Sequence, residues 1–235
     1  MNAAQTRRAY FVTGTDTEVG KTLVSCLLLH AAAARGLDTL GLKPLAAGAQ
    51  VTPEGLRNDD ALRLIAAATR KLPYAQVNPV CLPEPLSPHL SARRAGKRLN
   101  VERLVGFCRG ALQQRADFTV IEGAGGWRVP LNTHEYLSDL PKILQIPVVL
   151  VVGLRLGCLN HALLSAETIL RDGLTLAGWV ANTLDPTMPE RDANIATLRD
   201  ALDAPLLGVI PRLPEVGDLR AYATLLDLSL LDSSG

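Results

Sequence analysis

The 235-residue chain has almost no net charge, since 24 basic and 23 acidic side chains leave a formal +1 at pH 7. Such a balance supplies no global field that would draw the protein to nucleic acid or to an anionic membrane. The one local excess, Arg93-Arg94-Ala95-Gly96-Lys97-Arg98, reads as a solvated loop or helix end, with anion binding by part of it as the alternative. The four cysteines, Cys26, Cys81, Cys108 and Cys158, form no C-x-x-C pair. Three of them sit among apolar neighbours as buried free thiols do, which fits a reducing compartment. The four histidines, His30, His89, His134 and His161, lack the spacing of metal ligands, so no catalytic role is assigned to them. No run approaches the ~18 apolar residues needed to cross a bilayer, and Met1 to Arg8 is polar with no apolar signal region. A soluble cytoplasmic protein is expected. Repeats, low-complexity tracts, long linkers and composition shifts are also missing, so a chain with 48% hydrophobic side chains reads as one domain over residues 1–235.

What the chain does have is Gly14-Thr15-Asp16-Thr17-Glu18-Val19-Gly20-Lys21-Thr22. The preceding Ala9-Tyr10-Phe11-Val12-Thr13 is aromatic and β-branched, as a buried strand is, and Leu23 to Arg35 is rich in Ala and Leu, as a helix is. A strand, a glycine-bearing turn and a helix in this order make a phosphate-cradling P-loop. Glycines let backbone N–H groups turn toward an anion, and the helix N-terminus adds the positive end of its dipole. Lys21 supplies a mobile cation and Thr22 a hydroxyl for Mg²⁺. Five residues rather than four separate Gly14 from Gly20, and Thr15 stands where the first Gly of the usual pattern belongs.

Later strands are expected over Thr39–Leu45, Phe118–Glu122, Ile146–Val152, Leu176–Asn182 and Leu206–Ile210, each short and continuously apolar, as strands buried on both faces are. Between them, Val101, Leu104, Val105, Cys108 and Leu112 recur at helical spacing, as do Ala162, Leu163, Ala166, Ile169 and Leu170. Alternating strands and helices predict an α/β fold: a doubly wound, mostly parallel sheet of the P-loop NTPase type with helices on both faces. Two stretches break the alternation, Ala46–Leu56 and the segment Leu72–Pro88 with its five prolines. The second is expected to hold neither regular helix nor central strand and to form an ordered surface excursion.

Ligands of such sheets bind beyond the carboxyl ends of the strands. There Lys43 precedes Pro44, whose ring holds Lys43 extended and aims its side chain outward. Glu122 closes its strand and opens Glu122-Gly123-Ala124-Gly125-Gly126, an acidic Mg²⁺ position followed by a loop able to approach a ligand closely. Asp59 and Asp60 open the helical pattern Ala61–Arg70, where helix capping is the leading reading. Asn182 ends a strand and could present its amide to a purine edge, although Asn is also a common turn residue. Asn160, near a helix start, reads equally as an N-cap.

Taken in order, these motifs resemble the dethiobiotin synthetase family. The resemblance rests on Phe11–Thr22, Gly-Leu-Lys-Pro at Gly41–Pro44, Pro-Glu-Gly-Leu-Arg-Asn at Pro53–Asn58, Glu-Gly-Ala-Gly-Gly-Trp at Glu122–Trp127, Leu-Gly-Cys-Leu-Asn-His at Leu156–His161, and Ala-Gly-Trp-Val-Ala-Asn at Ala177–Asn182. It implies an ATP-dependent ligase that carboxylates 7,8-diaminononanoate with CO₂ and closes a ureido ring through a carbamic-phosphoric anhydride. It implies that Lys21 and Lys43 stabilise the carbamate and the transferring phosphoryl group, and that Thr22, Asp60 and Glu122 hold Mg²⁺, which reverses the capping reading of Asp60. Glu18, Val19, Gly20, Lys21, Thr22 and Leu23 would wrap the phosphates. Gly123, Ala124 and Gly125 would line the nucleotide and substrate side, and Asn182 with Pro211 would flank the base. Thr17 would touch the substrate. Asn160 would reach it from a second subunit, which implies a homodimer.

Two positions depart from the family pattern. Ala47 stands where a Ser or Thr usually follows Lys-Pro-x-x, leaving the backbone amides of Ala47 and Gly48 or a water as substitutes, and Arg212 stands near the base site where relatives carry an aromatic. Two other readings compete. An amide-forming ligase of the cobyrinate-diamide type would need room for a glutaminase domain. A ParA-like or MinD-like switch ATPase would usually carry an extra Lys early in the loop, where this chain has Thr and Asp.

Overall fold

A computed structural model describes residues 8–213 and 218–232, and the polar lead-in read at residues 1–7 lies outside them. Strand β1 (Arg8–Gly14) runs into helix α1 (Lys21–Ala34) and strand β2 (Thr39–Leu42). A detour follows through β3 (Leu45–Ala46), the hairpin of β4 (Gln50–Thr52) and β5 (Gly55–Arg57), α2 (Asp59–Ala67), α3 (Tyr74–Val77), β6 (Val80–Cys81) and α4 (Pro88–Arg94). Alternation returns with α5 (Val101–Leu112), β7 (Phe118–Glu122), α6 (Asp139–Leu144), β8 (Val148–Leu154), α7 (Cys158–Arg171), β9 (Leu176–Thr183), α8 (Arg191–Ala201) and β10 (Leu206–Ile210). A 3-10 stretch (Leu219–Leu225) and α9 (Ser229–Asp232) complete the described chain.

Six strands form one parallel sheet in the order β10-β9-β8-β1-β7-β2. The chain winds one way from β1 out to β2 and the other way through β7, β8, β9 and β10, so a crevice opens at the carboxyl end of β1. Side chains alternate between the two faces. Tyr10 and Val12 of β1 join one buried cluster with Val24 and Leu27 of α1. Phe11 joins the other, with Leu104 of α5 and Ala162 of α7. With helices covering both faces, β7, β8 and β9 are buried along their whole length, which is why their sequences carry apolar runs rather than alternation.

The expected strands are present, several with shifted ends. β2 stops at Leu42 rather than Leu45, where Lys43-Pro44 turn the chain, and β8 starts at Val148 because Pro147 has no amide to donate. The proline-rich segment differs from expectation: it contains the single turn α3, the start of α4 and strand β6, which pairs with β3 outside the main sheet. Proline is admissible there because Pro73 caps α3 and Pro88 occupies the first turn of α4, where no intrahelical amide is needed. The segment is not wholly superficial either, since Val77, Asn78 and Leu82 are buried. Arg93 and Arg94 end α4 in solvent, as the helix-end reading has it.

Both edges of the sheet meet other parts of the chain. On β2, the Thr39 amide donates to Thr69 Oγ1 at 2.7 Å and its carbonyl accepts from Arg70 N at 3.0 Å. On β10, the Leu207 carbonyl accepts from Asp227 N at 2.8 Å, and a Cβ on Gly208 would lie 2.0 Å from the Leu225 carbonyl oxygen, so only glycine fits. Among the described residues no helix is long and apolar enough to cross a membrane.

Candidate active site

The turn from β1 to α1 closes on itself. Gly20 has φ +92°, a left-handed backbone that glycine adopts at little cost, and a Cβ there would lie 2.2 Å from Asn182 Nδ2. That nitrogen donates to the Val19 carbonyl at 2.9 Å, so the end of β9 supports the loop from behind. Glu18 also has positive φ, at 58°. The Lys21 ammonium folds back to donate to the Asp16 carbonyl at 3.0 Å, and Arg155, after β8, ion-pairs with the Asp16 carboxylate. Burial and then the nearby Lys43 charge bring the Lys21 pKa down to about 8.

Beside the loop, three strand or helix ends deliver one polar cluster. Lys43 Nζ lies 2.6 Å from Glu122 Oε1, 2.8 Å from the Gly123 carbonyl and 3.2 Å from Asp60 Oδ2. Thr22 Oγ1 donates to the same Glu122 oxygen at 2.8 Å. Burial alone would push the Lys43 pKa down, but the Glu122 and Asp60 carboxylates outweigh it and raise it. Burial likewise opposes charge on Asp60, and Lys43 and Thr22 hold its carboxyl below the ordinary range. Lys43 is therefore not aimed outward as the sequence implied; it is 3% exposed and turned in along the strand ends, where two carboxylates compensate its buried charge. The capping reading of Asp59 and Asp60 is also corrected. Asn58 caps α2 by accepting from Ala61 N at 3.3 Å, which leaves Asp60 in the first turn to face Lys43.

The resulting cleft, about 830 Å³, is bounded by Thr17, Glu18, Gly20, Lys21, Thr22 and Leu23 on one side. Lys43, Ala47, Asp60, Glu122, Ala124 and Gly125 face them. Gly123 and Gly126 explain how the second loop comes so near. A Cβ on Gly123 would lie 2.9 Å from the Phe11 ring, and one on Gly126 would lie 3.4 Å from the Gly14 carbonyl oxygen. Thr22, Asp60 and Glu122 offer hard oxygen donors, and Glu122 Oε2 is a buried acceptor without a hydrogen-bond partner, so the set fits Mg²⁺. Among the described residues no three acidic, His or Cys side chains form a metal cluster by themselves, so nucleotide and water oxygens would complete the shell.

Other expected residues lie differently. Asn182 is buried with its amide nitrogen committed to the Val19 carbonyl, so that nitrogen braces the loop from the end of β9. Pro211 directly follows β10 on the exposed rim, and Arg212 beside it donates to the Leu184 carbonyl at 3.4 Å. Asn160 is not the cap of α7; Gly157 is, at φ 94°, and Asn160 sits exposed in the first turn, away from this cleft. Ala47 lines the cleft, but the Gly48 amide expected to stand in for the missing hydroxyl already donates to the Glu84 carbonyl at 3.1 Å.

Sequence reasoning missed three parts of the wall: Arg63, Arg128–Pro130 and Pro85–Pro88. Arg63 had a signal, since residue i+3 on a helix shares the face of Asp60. The proline-rich wall comes from a segment remote in sequence, and no local pattern announces it.

Comparison with known proteins agrees with this geometry. The family model for an AAA domain matches residues 8–220. The chain is 56% identical over 228 residues to the ATP-dependent dethiobiotin synthetase BioD of Cellvibrio japonicus, covering 97% of this chain and 99% of the relative. It is 56% identical over 220 residues to the Pseudomonas paraeruginosa protein of the same name, covering 94% and 96%. Among solved structures, the signal recognition particle receptor FtsY of Elizabethkingia anophelis superposes with a TM-score of 0.51 at 17% identity, over 99% of this chain and 66% of the receptor, a likeness of fold alone. With a nucleotide loop of this geometry and relatives this similar from end to end, the chain belongs to the ATP-dependent dethiobiotin synthetase BioD family.

Proposed function

We propose that this protein is an ATP-dependent dethiobiotin synthetase, working as one unit over its 235 residues. The observation that carries this reading is the placement of Lys43, Thr22, Asp60 and Glu122 beside the phosphate loop, where every stage of such a ligation gathers negative charge. One amine of 7,8-diaminononanoate attacks CO₂ and loses a proton, giving a carbamate. A carbamate oxygen attacks the γ-phosphorus of ATP and expels ADP. The second amine then attacks the carbonyl of the mixed anhydride and loses a proton, phosphate leaves, and the urea closes.

Backbone amides of Glu18–Leu23 and the Lys21 ammonium would receive the phosphates. Lys43 would turn from its carboxylates toward the carbamate and the moving phosphoryl group. Thr22, Asp60 and Glu122 would hold Mg²⁺, which when bound neutralises charge on the nucleotide oxygens. Thr17 and the loop of Gly123, Ala124 and Gly125 would position the diamine, with Asn182 and Pro211 at the nucleoside end. We further infer a homodimer in which Asn160 serves the partner's cleft. It is supported by the exposure of Asn160 on the first turn of α7 and by Leu156, 96% exposed just before that helix. The unpaired cysteines fit a cytoplasmic location.

The test is phosphate release from Mg·ATP and bicarbonate, with and without the diamine, while dethiobiotin is followed by mass. Release that requires both co-substrates and matches product one to one supports the ligase. Diamine-independent hydrolysis without product would point instead to a switch ATPase.

A further inference from the structure

We propose that Asp172, at the far end of α7 and outside the cleft, is a positioning residue that sets the glycine loop of the substrate site. The inference rests on the ligase reading above. Residues Ala124, Gly125 and Gly126 reach the cleft with backbone and almost no side chain, so the loop has few side-chain anchors of its own. Its entry is fixed by β7 and by the Gly123 amide, which donates to the Val12 carbonyl at 2.9 Å. At its exit one carboxylate accepts from two consecutive residues. Trp127 Nε1 donates to Asp172 Oδ2 at 2.9 Å, and Arg128 Nη2 donates to Asp172 Oδ1 at 2.6 Å.

The two held residues face opposite ways. Trp127 is buried, with its ring edge-on to Phe11 at 6.1 Å, and Phe11 lies on the strand that leads into the phosphate loop. Arg128 lies on the cleft wall, bonded to Ser138 Oγ at 3.2 Å and with its guanidinium 5.6 Å from the centre of the Tyr136 ring. One carboxylate thus fixes the last two residues of Glu122–Arg128 between the core and the substrate side of the cleft.

Helix stability does not account for this acid. Asp172 occupies the C-cap of α7, where a negative charge opposes the helix dipole. Its side chain is only 9% exposed, so it also gives up most of its hydration. What offsets both costs is the pair of charge-assisted bonds to Trp127 and Arg128. Displacement of a substrate-positioning loop by about 1 Å is enough to impair turnover by orders of magnitude, so a clamp at its exit bears directly on binding of the diamine.

The test compares steady-state constants and tryptophan emission of the wild type and Asp172→Asn. The variant keeps the volume of the side chain but replaces one of the two accepting oxygens with an NH₂ donor, so one of the two bonds is lost. Its KM for the diamine should rise about tenfold while its KM for ATP stays within about twofold, because the bonds of the phosphate loop are untouched. Emission of the ligand-free variant should also shift, since Trp127 loses its carboxylate while Trp179 stays in the core. Emission needs no substrate, so a failed clamp is distinguishable from a failed ligase reading. If Asp172→Asn does not fold, Arg128→Met, which leaves the Trp127 bond in place, should still raise the diamine KM by about threefold. Unchanged constants, or equal changes in both KM values, would overturn the proposal.

Discussion

Lys43 and Glu122 form a buried ion pair, Nζ to Oε1 at 2.6 Å, and the same carboxylate oxygen receives the Thr22 hydroxyl that opens α1. The first helix, the turn after β2 and the end of β7 therefore converge on one atom. Removing one member of such a pair strands the other's charge, a loss of about 3–5 kcal/mol where no partner replaces it. Lys43→Ala should lower turnover by on the order of a hundredfold or more and lower the melting temperature as well. Assays well below the new melting point separate the two effects, and wild-type turnover there would remove Lys43 from the mechanism.

Gly20→Ala should abolish tight nucleotide binding. At φ +92° an Ala is strained by about 1–2 kcal/mol, and its Cβ would displace Asn182 from the Val19 carbonyl. Asn182→Ala removes only that bond and should weaken Mg·ATP by about fivefold, near 1 kcal/mol. Calorimetric titration with a non-hydrolysable analogue ranks the two; equal affinities for Gly20→Ala and wild type would show that the loop tolerates the clash.

Ala47→Ser should tighten diamine binding. Gly48 N is already occupied by Glu84, so the missing hydroxyl has no backbone replacement at that amide. A threefold or greater fall in the diamine KM is expected, roughly the worth of one modest hydrogen bond. An unchanged or higher KM would mean that the cleft has no deficit at this position.

Thiol chemistry should be confined to one site. Burial pushes the pKa of Cys26 and Cys108 up to about 12, leaving about one thiol in ten thousand ionised at pH 8. Cys158 is buried as well, and Cys81 is only half-buried. Iodoacetamide at pH 8 should therefore label Cys81 first and reach Cys26 and Cys108 only after unfolding, as read by peptide mapping. Labelling of Cys108 as fast as Cys81 would show that the face of the sheet under α5 opens in solution.

The parallel sheet was legible because strands covered on both faces must be apolar throughout, and Phe118–Glu122 and Leu206–Ile210 match their observed bounds. The residues of the phosphate loop were legible because a strand, glycines and Lys-Thr sit close together in sequence. Direction was harder to read. Lys43 was identified as a strand-end cation, but which way it turned depended on carboxylates 17 and 79 positions away in the chain, at Asp60 and Glu122. The cap of α2 was misassigned by one or two residues because Asn58, Asp59 and Asp60 are all good capping types, and only geometry selects among them. The Asp172 contacts had no local signature, since they join a loop to the end of a helix more than 40 residues later.

The covered edges of the main sheet limit how copies of this protein can meet. An open strand is a template for another chain's backbone and so for fibrous aggregation. Here the Thr39 and Leu207 backbone groups are already bonded within the chain, and Leu225 crowds the β10 side. Self-association is thereby steered away from strand addition at these two edges and toward contacts made by side chains.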